Sequence, residues 1–505
     1  MPIRRVLVAN RGEIAVRVIR TLRELGMTSI AVYSEPDRAA LHVLLADEAY
    51  ALGAGPSSES YLHQERVLEV ARRARADAIH PGYGFFAENA GFAAACAAAG
   101  LTFIGPGAQT IAALGDKLAA RAAARAAGVP VVPGGDRALE SLEQARAAAG
   151  PIGYPVLLKA AAGGGGKGMR GVRAAAGLDA AWALARGEAR QAFGDDRMYL
   201  EKLIERPRHV EAQILADASG RVVCLGEREC SIQRRHQKLF EETPSPAFTA
   251  ARRAAFADAA CKVAKQVGYL SAGTVEFILD QDGSFYFLEV NTRLQVEHPV
   301  TEMVTGLDLV AEQLRVAAGA PLSFGDQPPA PRGAAMEARV IAEDPLTGFL
   351  PGAGRIDRVR FPSGPGVRND AGFYRGYEIP VFYDSLLSKL IVWGQDREQA
   401  RRRMDRALSE FVLEGVRHNL AFHRWLVAHP EFIAGRLSTG FIDEHFRAAA
   451  LAPGRDATEI ALLAAALHAR EERLRVALPE RRNGGVTRSP WRWGERRRPG
   501  GRARR

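Results

Sequence analysis

The chain of 505 residues is too long for one ordinary core and predicts about three domains, because single domains usually contain ~100–200 residues. Its 47% hydrophobic and 25% charged residues exclude wholesale disorder. The sequence contains no apolar run of eighteen residues, which argues against a membrane span, and its first residues lack the apolar core of a secretory leader. The net charge of +10 does not indicate a nucleic-acid-binding body, because residues 481–505 alone hold ten arginines against one glutamate.

The first elements alternate between strands and helices. An apolar run predicts a strand at Ile3–Ala9, followed by a turn at Asn10–Glu13 and a helix at Ile14–Leu25. Further strands are predicted at Ile30–Tyr33, Ala78–His80 and Thr102–Ile104, with alanine-rich helices among them. This alternation favours a doubly wound parallel sheet, so we expect an α/β domain over residues 1–114.

The middle of the chain mixes strands with helices. A helix is predicted at Asp116–Ala127 and a longer one near Arg252–Val267. A compact segment at about 131–203 carries a glycine run. We expect one domain over residues 115–325, with the segment at about 131–203 as a lid.

The last part of the chain predicts a separate α+β unit. A proline-rich linker precedes strands near Ala335–Ile341 and Leu387–Val392, which indicates a domain over residues 334–446. Residues 447–505 are predicted to form an extra amphipathic helix over 457–478 and then a disordered arginine-rich tail. Four cysteines without CxxC spacing favour the reducing cytoplasm.

Four consecutive glycines, Gly163–Gly166, lie inside the lid segment and precede Lys167. Each glycine costs about 0.5–1 kcal/mol of ordering entropy relative to alanine, so packing does not explain the run. Its backbone N–H groups can close around phosphate oxygens, and Lys159 and Lys167 add positive charge. The run predicts a mobile lid over nucleotide phosphates, with a plain flexible hairpin as the alternative.

A hairpin is predicted around Asp280–Gly283, between two alternating apolar runs. With an even-length loop, the pairing places Glu276 on one face with Phe287, Glu289 and Asn291. Two carboxylates on a half-buried face repel each other unless a cation lies between them, and oxygen ligands suit Mg²⁺ bound together with phosphates. We predict a metal site here; a solvated hairpin face is the alternative.

Polar side chains crowd the exit of this hairpin. The guanidinium of Arg293 suits a small planar anion, and Glu297 is a candidate general base. A second polar cluster, Glu227–Lys238, follows another apolar strand, with a solvated basic edge as the alternative. A phosphate lid, metal ligands and an anion pocket together predict ATP-dependent activation of a small anion.

Lysine is rare, with only eight lysines among the 68 basic residues. Arginine and alanine are so abundant that codon bias favours arginine wherever charge alone suffices. Positions that keep lysine are therefore candidates for a compact ammonium that the planar fork of arginine cannot replace, with chance as the alternative.

Five longer motifs occur in order along the chain: HPGYGFFAEN (80–89), GGGGKGM (163–169), ECSIQRRHQK (229–238), EVNTRLQVEHPVTEM (289–303) and YDSLLSKL (383–390). Together they resemble biotin carboxylase over residues 3–446. The resemblance implies an ATP-grasp fold with an N-terminal doubly wound domain, a mobile glycine-rich lid and a C-terminal α+β domain. It also implies that ATP, bicarbonate and protein-linked biotin give ADP, phosphate and carboxybiotin, the first half-reaction of an acetyl- or acyl-CoA carboxylase.

The resemblance assigns roles residue by residue. The implied ATP-contacting positions are Lys117, Lys159, Gly164, Gly165, Gly166, Glu201, Lys202, Leu203, His209, Gln233, His236 and Glu276. The implied ligands of Mg²⁺ or Mn²⁺, with two ions expected, are Glu276, Glu289 and Asn291. Bicarbonate is implied to bind at Lys238, Arg293, Gln295 and Val296. Catalysis is implied for Glu297 as the base, for Arg339 as the group that steadies the biotin enolate, and for Lys238 and Arg293.

Two stretches depart from the usual family pattern. Thr243 and Ser245 stand where many relatives have alanine, and 419–445 is more similar to long α subunits of acyl-CoA carboxylases. The segment after Arg481 is expected to be a truncation or frameshift scar, with a basic arm for an acidic partner as the alternative.

The biotin is expected on another chain. Carrier domains present their biotinylated lysine between two methionines, no lysine follows Lys389, and none of the eight has a methionine neighbour. The expected partners are therefore a carrier protein or domain, a second copy in a homodimer, and a carboxyltransferase subunit. The alternatives are an ATP-grasp ligase acting on another acid, nucleic-acid binding through the tail, and an inactive scaffold subunit.

Overall fold

The computed structural model describes residues 3–161, 168–325, 327–452 and 455–474. The chain divides into a compact unit over Met1–Leu451 and a second unit over Ala452–Arg505. Among the described residues, no helix has the length and apolar character needed to cross a membrane.

The N-terminal segment is a five-stranded parallel sheet with helices. Its strands are β1 (Arg5–Val8), β2 (Thr28–Ser34), β3 (Glu48–Gly53), β4 (Ala78–His80) and β5 (Thr102–Phe103), in the order β3-β2-β1-β4-β5. Its helices are α1 (Gly12–Glu24), α2 (Leu41–Leu45), α3 (Gln64–Arg73), α4 (Ala90–Ala98) and α5 (Ala108–Gly115). The strands pair in parallel throughout, which confirms the predicted parallel sheet. The predicted helix at Ile14–Leu25 begins earlier, at Gly12.

A small three-stranded sheet follows. Helix α6 (Lys117–Ala126) begins at Asp116, whose carboxylate accepts hydrogen bonds from the N–H groups of Leu118 and Ala119, as an N-cap does. The next elements are α7 (Leu142–Ile152), β6 (Val156–Ala160), β7 (Arg170–Val172), α8 (Leu178–Phe193) and β8 (Met198–Lys202), with strand order β7-β6-β8. Apolar side chains of α7 and α8 pack on this sheet in a small core of its own. The elements α7 to β8 lie within residues 131–203, the segment predicted to be a lid.

The central feature is an eight-stranded antiparallel sheet. Three of its strands are β14 (Ala334–Ile341), β19 (Val367–Ala371) and β21 (Leu386–Gly394), and the strand order is β13-β12-β9-β10-β11-β14-β21-β19. Five of its strands and three helices come from the middle of the chain: β9 (Arg208–Ala216), β10 (Val222–Arg234), β11 (Gln237–Thr243), α9 (Ala250–Gln266), β12 (Ser271–Leu279), β13 (Phe285–Asn291), α10 (His298–Thr305) and α11 (Leu309–Ala317). The other three strands come from the C-terminal segment. Because β11 pairs with β14, one continuous sheet joins the two predicted domains.

The C-terminal segment adds β14 (Ala334–Ile341), β15 (Glu343–Asp344), β16 (Leu350–Pro351), β17 (Gly354–Arg355), β18 (Arg358–Arg360), β19 (Val367–Ala371), β20 (Glu378–Ile379), β21 (Leu386–Gly394), α12 (Arg397–Glu410), β22 (Val412–Glu414), α13 (Leu420–Ala428), α14 (Pro430–Ile433) and α15 (Phe441–His445). Its apolar residues form the largest core cluster with one face of β14 and β21. The opposite face of β14 carries Glu337 and Arg339, since side chains alternate along a strand.

The second unit contains α16 (Arg455–Leu474), which agrees with the helix predicted over 457–478. The side chains of 458–470 are exposed, among them Ile460, Leu462, Leu463 and Leu467. The predicted disordered tail lies outside the described residues.

Candidate active site

The hairpin β12–β13 brings the predicted metal ligands onto one face. Glu276 lies directly opposite Glu289, and Thr274 lies opposite Asn291, so the two carboxylates and the amide share a face as predicted. The prediction for Phe287 is wrong, because Phe287 pairs with Phe277 on the opposite face and both rings are buried in the core beneath α9. The loop has an odd number of residues, and a β-bulge between Glu276 and Phe277 shifts the register back.

A row of charged residues crosses four strands of the sheet. The cross-strand neighbours Glu289, Glu276, Glu211 and Arg228 follow one another from β13 through β12 and β9 to β10. Directly opposed side chains in an antiparallel pair lie close together, so three carboxylates adjoin on one face. Arg228 is fully buried and donates hydrogen bonds to Glu211 and Gln213. This row forms the floor of the candidate site.

Lys238 sits over the row. Its ammonium lies 2.6 Å from Glu211 Oε2, 2.7 Å from Glu276 Oε1 and 2.8 Å from Glu297 Oε1. Its side chain is 12% exposed, whereas the Glu297 side chain has no exposure. One ammonium therefore contacts three buried carboxylates, which also have Arg228, Arg339 and His209 as neighbours.

Glu297 is held between two cations. Besides Lys238, Arg339 contacts it, with Arg339 Nη2 2.9 Å from Glu297 Oε2. Burial raises the pKa of Glu297, but Lys238 and Arg339 outweigh burial and hold the pKa of this carboxyl well below its usual range. Glu297 is therefore ionised near neutral pH and able to accept a proton.

Arg339 is also anchored from its other side. Its Nε donates to Glu241 Oε1 at 2.6 Å, and Glu241 is buried. Burial raises the pKa of Glu241 to about 7, against the lowering effect of Arg339. The guanidinium thus bridges two carboxylates and presents a fixed orientation.

Arg293 links the exit of the hairpin to the N-terminal segment. Its guanidinium donates to Glu88 Oε2 at 2.8 Å, to Gln295 Oε1 at 3.1 Å and to Asn291 Oδ1 at 3.2 Å. The Gln295 side chain is buried, and its Nε2 has no hydrogen-bond partner among the described residues. A buried amide donor beside a guanidinium suits a small oxyanion.

Four of the predicted ATP positions, Lys117, Lys159, Glu201 and His209, line the same region. Lys117 lies 2.6 Å from Glu289 Oε2, and Lys159 lies 2.9 Å from Glu201 Oε1. Burial lowers the pKa of His209, but Glu276, 3.0 Å away, raises it above its usual value. These contacts bring positive charge from the three-stranded sheet β7-β6-β8 and from α6 close to the carboxylate row.

Four other predicted ATP positions are placed by the backbone. Lys202 ends β8, and its ammonium donates to the carbonyls of Gly153 and Tyr154 at 3.0 and 3.1 Å. The N–H of Leu203 donates to Pro155 O at 3.1 Å. Gln233 pairs with Lys238 across β10–β11, and His236 lies in the tight turn between them with a φ of 66°. The predicted Gly164, Gly165 and Gly166 lie outside the described residues.

A cleft of about 460 Å³ opens beside Arg339 and Arg293. Its walls come from the N-terminal segment, the hairpin exit and the C-terminal segment, including Glu13, Tyr83, Phe85, Arg293, Val296, Arg339, Phe382 and Tyr383. The cleft therefore places an organic ligand next to the two arginines that surround the hairpin exit and Glu297.

Several charged groups of the site are absent from the sequence predictions. Glu211 and Arg228 form part of the row, Glu241 holds Arg339, Glu88 holds Arg293, and Arg121 lies 3.1 Å from Glu201. One signal was available, since polar residues alternate on β9, where His209, Glu211 and Gln213 interrupt an apolar run. Glu88 lies in the quoted motif HPGYGFFAEN, but its partner is distant in sequence.

Thr243 and Ser245, which stand where many relatives have alanine, both form hydrogen bonds through their hydroxyl groups. Thr243 Oγ1 donates to Glu227 O at 2.6 Å, and Ser245 Oγ donates to Glu229 Oε2 at 2.7 Å. Both residues are buried. Their hydroxyls are therefore hydrogen-bonded inside the protein by groups other than Lys238 and Glu297.

Comparisons with known protein families match most of the chain. The model of the biotin carboxylase N-terminal domain matches residues 2–111, and that of the biotin carboxylase C-terminal domain matches residues 337–444. Between them, residues 116–324 match the ATP-binding domain of the carbamoyl-phosphate synthase L chain. These matches define an ATP-dependent enzyme of the ATP-grasp class.

Known relatives are similar over nearly the whole first unit. Biotin carboxylase 1 of Bacillus subtilis is 50% identical over 88% of this chain and 99% of its own length, and a pyruvate carboxylase subunit of Methanothermobacter thermautotrophicus is 52% identical over 88% and 90%. The propionyl-CoA carboxylase alpha chain of Ruegeria pomeroyi is 46% identical over 92% and 72%. The chain belongs to the biotin carboxylase family.

Solved structures agree. The biotin carboxylase domain dimer of 2-oxoglutarate carboxylase from Hydrogenobacter thermophilus, in complex with MgADP, ADP and bicarbonate, has a TM-score of 0.87 and 46% identity over 90% of this chain and all of that chain. The biotin carboxylase of Campylobacter jejuni, in a nucleotide complex, has a TM-score of 0.86 and 44% identity over 88% and 99%. The predicted ATP-grasp fold is confirmed.

Proposed function

We propose that the chain carboxylates biotin on a carrier protein at the expense of ATP and bicarbonate, as the first half-reaction of an acetyl- or acyl-CoA carboxylase. The observation that carries the proposal is Glu297, a fully buried carboxylate between Lys238 and Arg339, beside the cleft. Biotin carboxylases among its relatives, and the MgADP and bicarbonate in a similar structure, support this function.

Glu297 is the proposed base for bicarbonate. A bicarbonate ion in reach of Lys238, Arg293 and the Gln295 amide loses its proton to Glu297 while one of its oxygens attacks the γ-phosphorus of ATP. The bond to the ADP oxygen breaks, which leaves carboxyphosphate and ADP. Because Lys238 and Arg339 hold the pKa of Glu297 low, its basicity rises when the substrate anions draw these cations away.

Arg339 is the proposed partner of biotin. Carboxyphosphate decomposes to CO₂ and phosphate, the phosphate takes the ring N–H proton of biotin, and the resulting enolate attacks the CO₂ through its ring nitrogen. Before this attack the enolate oxygen carries negative charge next to the guanidinium, which Glu241 and Glu297 hold in a fixed orientation. The cleft that contains Arg339 is the proposed biotin site.

The carboxylate row fits the expected metal. Glu276 and Glu289 are opposed on one face, Asn291 lies on the same face, and all three offer oxygen donors, as Mg²⁺ requires. Burial raises the pKa of Glu289, but Lys117 outweighs it and keeps the carboxyl ionised. We propose these residues as ligands of Mg²⁺ or Mn²⁺, with two ions held jointly with ATP; the metal would offset phosphate charge during transfer.

The proposed partners are a biotin carrier, a carboxyltransferase and a second copy of the chain. Relatives carry names with different acyl substrates, pyruvate and propionyl-CoA among them, although their similarity to this chain is comparable. The final acceptor is therefore a property of the carboxyltransferase in this proposal.

The test is an ATP-cleavage assay with the purified chain, Mg²⁺ and free biotin, with bicarbonate present or removed. We expect ADP and carboxybiotin to form only with bicarbonate. ADP formation that ignores bicarbonate but responds to another carboxylic acid would indicate a different ATP-grasp ligase. No ADP under any condition would indicate an inactive scaffold subunit.

A further inference from the structure

Lys389 is a rare lysine that the proposed function leaves without a role. It lies on β21, pairs with Arg339 across β14–β21, and its side chain has no exposure. Its ammonium donates to Val296 O at 2.9 Å and lies 3.2 Å from Glu13 Oε2. A buried ammonium requires such partners, since an unpaired charge in the interior is strongly unfavourable.

The contact with Val296 fixes the backbone next to Glu297. A peptide unit is planar, so a hydrogen bond to the Val296 carbonyl also orients the N–H of Glu297 in the same unit. The preceding unit is fixed too, because His298 Nδ1 lies 2.8 Å from Gln295 O and must be the donor. In a trans peptide the N–H of Val296 then points away from His298. Two buried donors therefore set both peptide units of the proposed bicarbonate segment.

Glu13 extends this constraint to the cleft. One of its oxygens faces Lys389 and the other accepts a hydrogen bond from the Tyr83 hydroxyl. Glu13, Tyr83 and Val296 all line the cleft that contains Arg339. The same ammonium thus contacts the bicarbonate segment directly and the wall of the cleft through a single carboxylate.

We propose that Lys389 is a positioning residue, which with Glu13 fixes the Val296 backbone for bicarbonate and Tyr83 for biotin at the same time. The proposal rests on the proposed function and deepens it. It predicts that loss of the Lys389 ammonium impairs both bicarbonate use and the transfer of the carboxyl group to biotin, although Lys389 does not line the cleft.

Lysine is required here because its neighbours already fill the space. Asp370 lies 3.9 Å from the ammonium and forms two hydrogen bonds with Arg368, at 2.9 and 2.7 Å. A second guanidinium at position 389 would add bulk and a planar fork where the acceptors, Val296 O and Glu13, are arranged around a point charge. Lys389→Arg is therefore not expected to restore function.

The test compares Lys389→Met with Arg397→Met. Arg397, at the start of α12, is a partly buried cation that also pairs with a carboxylate of this sheet, with its Nε 2.7 Å from Glu242 Oε2, but it does not line the cleft. We expect both variants to lose stability. Only Lys389→Met should raise the KM for bicarbonate, by about tenfold or more, and lower the yield of carboxybiotin per ADP.

A second variant covers the case in which Lys389→Met does not fold. Lys389→Met with Glu13→Gln removes both members of the 3.2 Å ion pair, so the Glu13 carboxylate is not left buried without its cation. The raised KM for bicarbonate and the lowered carboxybiotin yield should persist in this folded double variant. An unchanged KM and yield in either folded Lys389 variant, with an active parent chain, would overturn the positioning role. An inactive parent chain would instead contradict the proposed function.

Discussion

Lys238 and Lys389 lie on the same sheet, on β11 and β21, but they differ in exposure and in the groups that they contact. Lys238 faces three carboxylates and keeps 12% of its side chain exposed. Lys389 is fully enclosed, with Glu13 at 3.2 Å and the Val296 carbonyl as its main partners. Lys238 keeps partial exposure beside the carboxylate row, so its contacts can be exchanged for those of a ligand. Lys389 has no exposure and donates to a backbone carbonyl, so its contacts stabilise the local conformation.

This difference separates reacting groups from supporting groups. A group that must exchange partners during a reaction needs access to its substrate, whereas a supporting group holds its neighbours through contacts that do not change. The regions around Lys238 and Lys389 meet at the segment Gln295–Glu297, whose side chains face the first region and whose carbonyls bind donors of the second.

The largest effect is expected from Glu297→Gln, which removes the proposed base while preserving the shape of the side chain. Turnover should fall by roughly 10²–10⁴-fold, because amide oxygens accept protons poorly. ATP binding, measured by calorimetry, should stay near that of the parent chain. Glu312→Gln is the control, a buried glutamate of α11 that accepts a hydrogen bond from Ser323 and should retain turnover. Turnover of Glu297→Gln within a few-fold of the parent would place the base elsewhere.

Arg339→Lys should separate the two halves of the reaction. The charge stays, but the fork that reaches Glu241 and Glu297 together is lost. We expect carboxybiotin formation to disappear and some bicarbonate-dependent ATP cleavage to persist, measured as ADP in the presence and absence of biotin. Equal loss of both activities would contradict a specific role with biotin.

Glu289→Gln removes one carboxylate of the row across from Glu276. The Mg²⁺ concentration for half-maximal ATP cleavage should rise severalfold, since charge is the main attraction for this ion. Asp282→Asn, on the exposed turn of the same hairpin, is the matched control and should leave the titration unchanged. An unchanged Mg²⁺ titration in Glu289→Gln would mean that this face does not hold the metal.

The last prediction concerns the stability of the fold in acid and involves neither lysine. Burial lowers the pKa of His42, His80 and His423 to about 4, so they stay neutral in the folded chain at pH 5 while the unfolded chain is protonated. Between pH 6.5 and 4 the unfolded state binds more protons than the folded state, so the free energy of unfolding decreases as the pH decreases. At pH 5 this decrease is about 2 kcal/mol per histidine. The urea midpoint should drop from pH 7 to pH 5. The urea midpoint of His42→Gln should depend less steeply on pH than that of the parent chain. An unchanged pH dependence in this variant would contradict the prediction.

The sequence predicted the reacting side chains better than their supports. The alternation around Asp280–Gly283 placed Glu276 and Glu289 on one face, yet it misplaced Phe287 because sequence pattern does not reveal a β-bulge. Glu88 and Glu241 were missed because their partners, Arg293 and Arg339, are far away in sequence. The chemistry of a single side chain follows from its residue type, whereas ion pairs between distant segments depend on the tertiary fold. The resemblance to biotin carboxylase supplied roles that no spacing revealed.

The pairing of β11 with β14 has a consequence for dissecting the protein. A fragment ending near residue 325 would retain Lys238 and Glu297 but leave the edge of β11 without its neighbour, exposing unpaired backbone groups over Phe240–Thr243. Such an edge recruits other strands, so the isolated nucleotide-binding piece should self-associate rather than remain monomeric. Cutting in the loop between α7 and β6, inside the segment predicted as the lid, would instead spare the long sheet. Split versions of this enzyme should therefore be divided at the lid, where the two halves can rejoin without rebuilding the sheet.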